Sequence, residues 1–318
     1  MSLFRTLQPR VVLIAALGCA AAQCQTVPRP KIIGVAHISL LAHDFEASRA
    51  FYRDMLGFEE PYSLKDASGA TSMTFFKVNE RQYIELAPER IPTAARLNHI
   101  AFEVSDAEAM RLYLRSRGVA VPDHVPAGRI GNLNFMIKDR QGVNVEIVQY
   151  GRSSWTVQAK GKFLSDQRIS TRIMHVGFVV TDIDPELRFY EDVLGFREFW
   201  RGSKDGATLS WINLKLPDSD DYIELMLYGE VPGREARGTA DHLCLEVPNA
   251  ERTLGLLKQR AQSANYSRAL ELHTGKNGKR QINLYDADGT RTELMEPHTV
   301  TGNPAPSSNA PLPTPNGK

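Results

Sequence analysis

The sequence predicts an α+β fold, in which four β-α-β-β-β modules form two paired domains with cupped mixed sheets. Three observations carry this. Short apolar strands alternate with amphipathic helices along most of the chain. A histidine-bearing strand followed by a helix ending in Leu-Gly-Phe occurs twice, beginning at Val35 and at Met174. The two copies also keep register, because His37 and His175 are 138 residues apart and so are Gly57 and Gly195. Chance similarity does not hold spacing over so many landmarks, so the chain is a duplication.

The elements follow in order. Residues 1–25 read as a secretory signal peptide, with Arg5 and Arg10 before the apolar run Val11–Leu17 and small residues Ala20–Ala22 for cleavage. This places the protein outside the cytoplasm, periplasmic or secreted, with lipidation at Cys19 as the alternative. Domain 1 spans 31–150. Its first strand runs through His37, and its first helix starts at the N-cap Asp44 and stops before Gly57. Three strands follow, the last being Tyr83–Ala87. A second histidine strand, Leu97–Val104, leads to a helix opened by the capping box Ser105-Asp106-Ala107-Glu108 and ended by Gly118. Strands near Asn134–Ile137 and Val143–Val148 complete the domain.

Residues 151–171 lack sustained periodicity and read as a linker. Domain 2 spans 172–297 and repeats the plan, with Ile173–Val180 as strand and Asp184–Leu194 as helix. Trp211–Leu216, Tyr222–Leu227 and Asp241–Val247 are strands, Ala250–Arg260 is a helix, and Gln281–Tyr285 and Arg291–Met295 are the last strands. Residues 298–318 are rich in Pro, Ser and Asn and read as a disordered tail.

Composition narrows the function. The net charge is +1 in 318 residues, which argues against nucleic acid or an anionic membrane surface as the partner and leaves a small-molecule substrate. Beyond the leader, Cys244 stands alone, so disulfides do not hold the fold and the thiol reads as a small core residue.

Strand alternation turns one set of side chains to a single face: His37, Glu85, His99 and Glu146 in the first half, His175, Glu224, His242 and Glu293 in the second. Two imidazoles and two carboxylates suit a divalent first-row ion, Ni, Co, Zn, Mn or Fe(II), with room for water or substrate. Glu85, Glu146, Glu224 and Glu293 are also the candidate proton-transfer groups. A lone strand histidine is usually structural, but eight residues of ligand type at matched positions are not explained that way. Tyr83 and Tyr222 share the face of the glutamate two residues on. His43, His124, His273 and His298 lack a partner pattern. Trp155, Trp200 and Trp211 read as packing anchors, and Arg53 and Arg96 as surface arginines.

These residues resemble the vicinal oxygen chelate superfamily, which includes glyoxalase I, bleomycin-resistance proteins and extradiol dioxygenases. The resemblance covers about residues 31–297. It rests on the Phe-Tyr-x-x-x-Leu-Gly-Phe helix ends at Phe51–Phe58 and Phe189–Phe196, and on the closing segments Lys138–Glu146 and Tyr285–Glu293. It implies a metal-dependent, glyoxalase-like lyase or isomerase that passes through a metal-stabilised enediolate of a substrate with vicinal oxygens. Two alternatives follow from the same resemblance: an extradiol ring-cleavage dioxygenase with Fe(II) at His175, His242 and Glu293, and a non-catalytic binding protein. Against the dioxygenase stand three things. The family's Pro-x-Gly after the final-strand tyrosine is missing, with Tyr285 only eight residues before Glu293. No histidine precedes His242 convincingly as a base, and Glu224 would fill a position that oxygen chemistry needs open.

Overall fold

The computed structural model describes residues 27–92 and 95–313. The expected leader, with Cys19 and Cys24, lies outside them. Among the described residues no helix is long and apolar enough to cross a membrane.

The first module comprises β1 (Ile32–Ala42), α1 (Phe45–Ala50), β2 (Tyr62–Lys65), β3 (Thr71–Lys77) and β4 (Tyr83–Pro88). The second comprises β5 (Leu97–Val104), α2 (Ala107–Ser116), β6 (Leu133–Lys138) and β7 (Asn144–Gln149). Its missing strand survives only as an isolated bridge between Ala127 and Leu133. A short helix, α3 (Trp155–Gln158), lies in the segment expected to be a featureless linker. The third module has β8 (Ile173–Val180), α4 (Ile183–Leu187), β9 (Arg197–Gly202), β10 (Trp211–Lys215) and β11 (Tyr222–Leu227). After α5 (Arg234–Ala240), the fourth has β12 (His242–Glu246), α6 (Ala250–Ala261), β13 (Leu272–Thr274), β14 (Lys279–Tyr285) and β15 (Arg291–Thr299).

Sequential modules share a sheet. The first sheet runs β2-β3-β4-β1-β5-β7-β6 and the second β13-β14-β15-β12-β8-β11-β10-β9. In each, the two histidine strands lie side by side and antiparallel, β1 against β5 and β8 against β12, while each pairs in parallel with its own module's glutamate strand. The four ligand-bearing strands of each half are therefore consecutive at the centre of the sheet.

Local chemistry explains the helix limits. Asp44 accepts from Ala47 N at 3.1 Å and starts α1. Both α1 and α4 run on into π-helical turns, Phe51–Met55 and Arg188–Val193, which bury Phe51 with Tyr52 and Phe189 with Tyr190. Gly57 and Gly195 end them at φ 77° and 80°, a left-handed conformation that glycine adopts without strain. At α2 the expected capping box does not form. Asp106, not Ser105, is the N-cap, accepting from Ala109 N at 2.9 Å, and Glu108 is drawn instead to Arg111.

The aliphatic strand faces and the helices of both halves meet in one continuous core. Packing crosses between halves: Tyr113 Oη donates to Val193 O at 2.7 Å, and Arg260 Nη1 to Met55 O at 3.2 Å. The turn holding Gln141 binds the start of the third module through Thr181, as Asp288 binds His43 N and Asp44 N in the first. The tail departs from expectation. His298 and Thr299 extend β15, and Pro306, Ser308 and Pro311 are tied to Trp200, Arg201 and Leu209 at 2.8–2.9 Å, so 298–313 is ordered along β9 and β10. Backbone partners at that sheet edge supply what the tail's apolar-poor composition does not.

Candidate metal centres

Strand register brings the eight predicted ligands into two quartets, each spread over two alternate rungs of its sheet. One rung of the first sheet carries His99, Ser39, Glu85, Phe75 and Tyr62 in sequence across the strands; the next but one carries Glu146, Ala101, His37 and Tyr83. In the second sheet the matching rungs are Arg291, His242, Gly177, Glu224, Asn213 and Trp200, then Asn283, Glu293, Cys244, His175 and Tyr222. Side chains on alternate rungs share a face, and the curl of the sheet makes these converge on the face away from the helices.

In the first quartet, His37 Nε2 and His99 Nε2 stand 3.0 Å apart. Glu146 Oε2 lies 3.2 and 3.0 Å from them, and the Glu85 oxygens lie 3.4 Å from each. Asn134 Nδ2 donates to Glu146 Oε1 at 2.6 Å and orients that carboxylate. All four ligands are buried. Burial disfavours a charged His99, but the Glu146 and Glu85 carboxylates outweigh it and lift the ring to about 10. Burial likewise opposes ionisation of Glu146, yet the adjoining histidines hold it well below the usual carboxylate range.

The second quartet repeats the imidazole pair, His175 Nε2 and His242 Nε2 at 3.0 Å. Glu293 Oε2 is 3.5 and 3.3 Å from them, whereas Glu224 Oε2 is 4.0 and 3.4 Å away. Gly177 makes this possible, since a Cβ there would sit 2.0 Å from His242 Cε1. His242 Nδ1 is 2.8 Å from Ala240 O and 2.8 Å from Arg291 Nη2. Burial, then the Arg291 charge, push His242 down to about 4, so its ring is neutral at pH 7. Glu293 is held well below its ordinary value, against burial, by hydrogen bonds from His175 and His242. Glu224 moves the other way, raised by burial with the Glu293 charge adding to it.

The donor sets fit a metal ion. Ligands about 2.1 Å from one ion stand about 3.0 Å apart along an octahedral edge and about 3.4 Å along a tetrahedral one, which is the spacing found between the histidines and Glu146, Glu85 or Glu293. His175, Glu224, His242 and Glu293 all place a donor atom within 4.8 Å of one another, as do His37, Glu85 and His99. Two imidazole nitrogens facing each other beside two buried carboxylates are what a divalent cation would compensate.

The second quartet opens on a cup of about 280 Å³. Its wall holds Trp200, Trp211, His273, Lys276 and Arg291, with Glu224 and Glu293 at the base. The sequence reading set both tryptophans aside as anchors, left His273 without a role and did not single out Arg291. Register was the available signal, because Arg291 is two residues from Glu293 on β15, and Trp200 lies opposite Asn213, which lies opposite Glu224. Tyr222 packs on His175, ring centroids 4.5 Å apart. Cys244 is buried on the rung between His175 and Glu293 and packs with Met174, Tyr222 and Met295. His43 and His124 lie exposed and away from both quartets, and His298 is exposed on β15. Arg96, read as a surface residue, is 5% exposed.

A model of the Glyoxalase/Bleomycin resistance protein/Dioxygenase superfamily matches residues 34–147 and 172–294. The chain belongs to that superfamily. YaeR of Escherichia coli (strain K12), described as an uncharacterized protein, is 35% identical over 92 residues, 27% of this chain and 71% of its own. Among solved structures, a variant of homoprotocatechuate 2,3-dioxygenase from Brevibacterium fuscum superimposes with TM-score 0.65 at 20% identity, covering 90% of this chain and 77% of its own. The 2,3-dioxygenase LapB from Pseudomonas sp. KL28 gives 0.64 at 18%, covering 88% and 98%. At such identities the likeness is one of fold. Both superfamily matches span two successive modules, as each sheet does.

Proposed function

We propose that the second half is the centre of a metal-dependent ring-cleaving dioxygenase acting on a small aromatic substrate with adjacent oxygens. The observation that carries this is the asymmetry of the second quartet. His175, His242 and Glu293 form the tighter two-histidine, one-carboxylate set, while Glu224 keeps 3.4 Å from His242 but lies 4.0 Å from His175, with its proton held more tightly than usual. With Glu224 outside the ligand set, such a site would keep positions for substrate and oxygen, as oxygen chemistry at non-haem Fe(II) requires, and the longer Glu224–His175 distance supports that choice.

A divalent ion held there, Fe(II) in this reading, would chelate the two substrate oxygens and serve as the redox partner of dioxygen. The chain's own groups do the rest. His242 presents a neutral ring, kept so by burial and Arg291. Glu224, beside His242 and raised in basicity, is placed to take a substrate hydroxyl proton. Arg291 offsets the negative charge left on the substrate, and Trp200 and Trp211 wall the cup against water and offer ring faces to a planar ligand. The fold shared with the two 2,3-dioxygenases supports the same choice, and one solved variant of the Brevibacterium enzyme is a complex with HPCA.

The glyoxalase-like lyase keeps one observation in its favour, the retention of a second carboxylate in each quartet. The test separates the two. Protein reconstituted with Fe(II) is given a catechol panel under oxygen; protein reconstituted with Ni(II) or Co(II) is given methylglyoxal with thiols. Oxygen uptake with ring opening, lost in His242→Ala, is the expected result. Isomerisation without oxygen uptake would establish the lyase, and ligand binding without turnover a binding protein.

A further inference from the structure

The two quartets differ in what stands over them, and we infer that they divide the work: the first is a sealed structural metal centre covered by residues 150–162, while the second exchanges through its open cup. This rests on the metal reading of both quartets. The difference begins on the rungs. Beside Glu224 the second sheet places Asn213 and then Trp200, facing the cup. Beside Glu85 the first sheet places Phe75, 3% exposed, and then Tyr62.

The segment after β7 finishes the closure. Tyr150 packs on Ala36, Ala101 and Val148, and Ala101 is the residue between His37 and Glu146 on their rung. Trp155 stands edge-on to Tyr62, centroids 5.1 Å apart, and its backbone N–H donates to Ile130 O at 2.8 Å. Phe75, Tyr83, Ile130, Tyr62 and Trp155 thereby form one apolar cluster on the ligand side of the sheet.

A charged latch holds the cover down. Lys77 on β3 is fully buried, and its Nζ donates to Ala159 O at 2.5 Å, Lys162 O at 2.9 Å and Glu80 Oε2 at 2.7 Å. Glu80 Oε1 in turn accepts from Gly161 N at 2.8 Å. A lysine is rarely buried unless it is paired, and here Ala159 and Lys162 belong to the cover and Glu80 holds it. The donor set points the same way. Both carboxylates of the first quartet reach both imidazoles within 3.4 Å, so neither stands off as Glu224 does. A site whose protein groups are all engaged, with an apolar cluster and the 150–162 segment packed beside it, suits a structural role.

The probe is Co(II) alone. Apo protein is loaded, freed of excess ion and challenged with excess dipicolinate, and release is followed by metal analysis. Two equivalents should bind, one leaving about tenfold or more slower than the other, because its exit requires the cover to open. His242→Ala should abolish the fast equivalent and His99→Ala the slow one. Trp155→Ala and Lys77→Met should each speed the slow phase by about tenfold. Equal release of both equivalents, a slow phase lost in His242→Ala, or no effect of either cover substitution overturns the division of labour while leaving metal binding intact. Failure to bind Co(II) at all would sink the metal reading itself. Should a cover variant not fold, the two histidine variants still assign the phases.

Discussion

At the scale of single residues, the second centre depends on a side chain that is absent. His242 can cross above β8 because position 177 is glycine; Ser39 occupies the equivalent rung in the first half. Gly177→Ala places a methyl where the imidazole now lies, 2.0 Å from Cε1. The ring must rotate away from the metal position, since the strand backbone beneath cannot yield. The expected outcome is a loss of roughly a hundredfold in metal affinity at the second centre with the first unchanged, read by titration of Co(II) in the variant. Gly177 was visible in the sequence only as a glycine inside a strand. Its meaning needed the partner strand, because the contact is between residues 65 positions apart.

At the scale of elements, α4 docks with a buried acid. Glu186 is completely buried in this helix, and what opposes the effect of burial on its carboxylate is the backbone of Arg140 and Gln141 and the Arg140 charge. Burial, with the charge of Asp139 adding to it, pushes it up to about 8 from an ordinary 4.5. The folded state thus holds this proton more tightly than the unfolded chain does. Its contribution to stability is complete below about pH 4.5 and is lost as pH rises through about 8. In Glu186→Gln that dependence vanishes. The melting temperatures of variant and wild type should diverge in the variant's favour by roughly 5 °C between pH 5 and pH 9. Parallel curves over that range would show that the carboxyl is not protonated in the native state. The corresponding residue of α1 is Ser48, so the duplication preserved the helix and not this side chain.

At the scale of the molecule, the halves are joined where β1 and β8 approach. Asp221 Oδ2 accepts from Val35 N at 3.0 Å, and its Oδ1 receives Arg172 at 2.9–3.0 Å. Gln82, its counterpart in the first half, exchanges hydrogen bonds with Ile173 N and O at 2.8 and 3.1 Å. With one core running through both halves, calorimetry of the apo protein should show a single cooperative transition. Asp221→Ala leaves a buried N–H without its acceptor and should cost about 2–4 kcal/mol in denaturant unfolding. Two separated transitions in the wild type would mean that the halves fold independently.

How far the sequence reached follows from the range of the interactions involved. Strand alternation, helix caps and a duplicated spacing are local, and they were enough to indicate the α+β modules, the repeat and the shared face of four histidines and four glutamates. The β-α-β-β-β frame and the histidine–glutamate face came from periods of two and 3.6 residues, and the superfamily from the resemblance carried by the helix ends Phe51–Phe58 and Phe189–Phe196 and the closing segments. What alternation cannot express is distance across a sheet. Only the tertiary structure decided that consecutive modules pair, that Trp200, Trp211, His273 and Arg291 border the second quartet, and that Glu224 stands apart from its triad. It also placed a helix in the linker, packed against Tyr62, and tied Pro306, Ser308 and Pro311 to Trp200, Arg201 and Leu209, because both depend on partners far along the chain. Two ligand sets that look alike as text differ in the folded protein by what packs on them, and packing is a property of the whole chain.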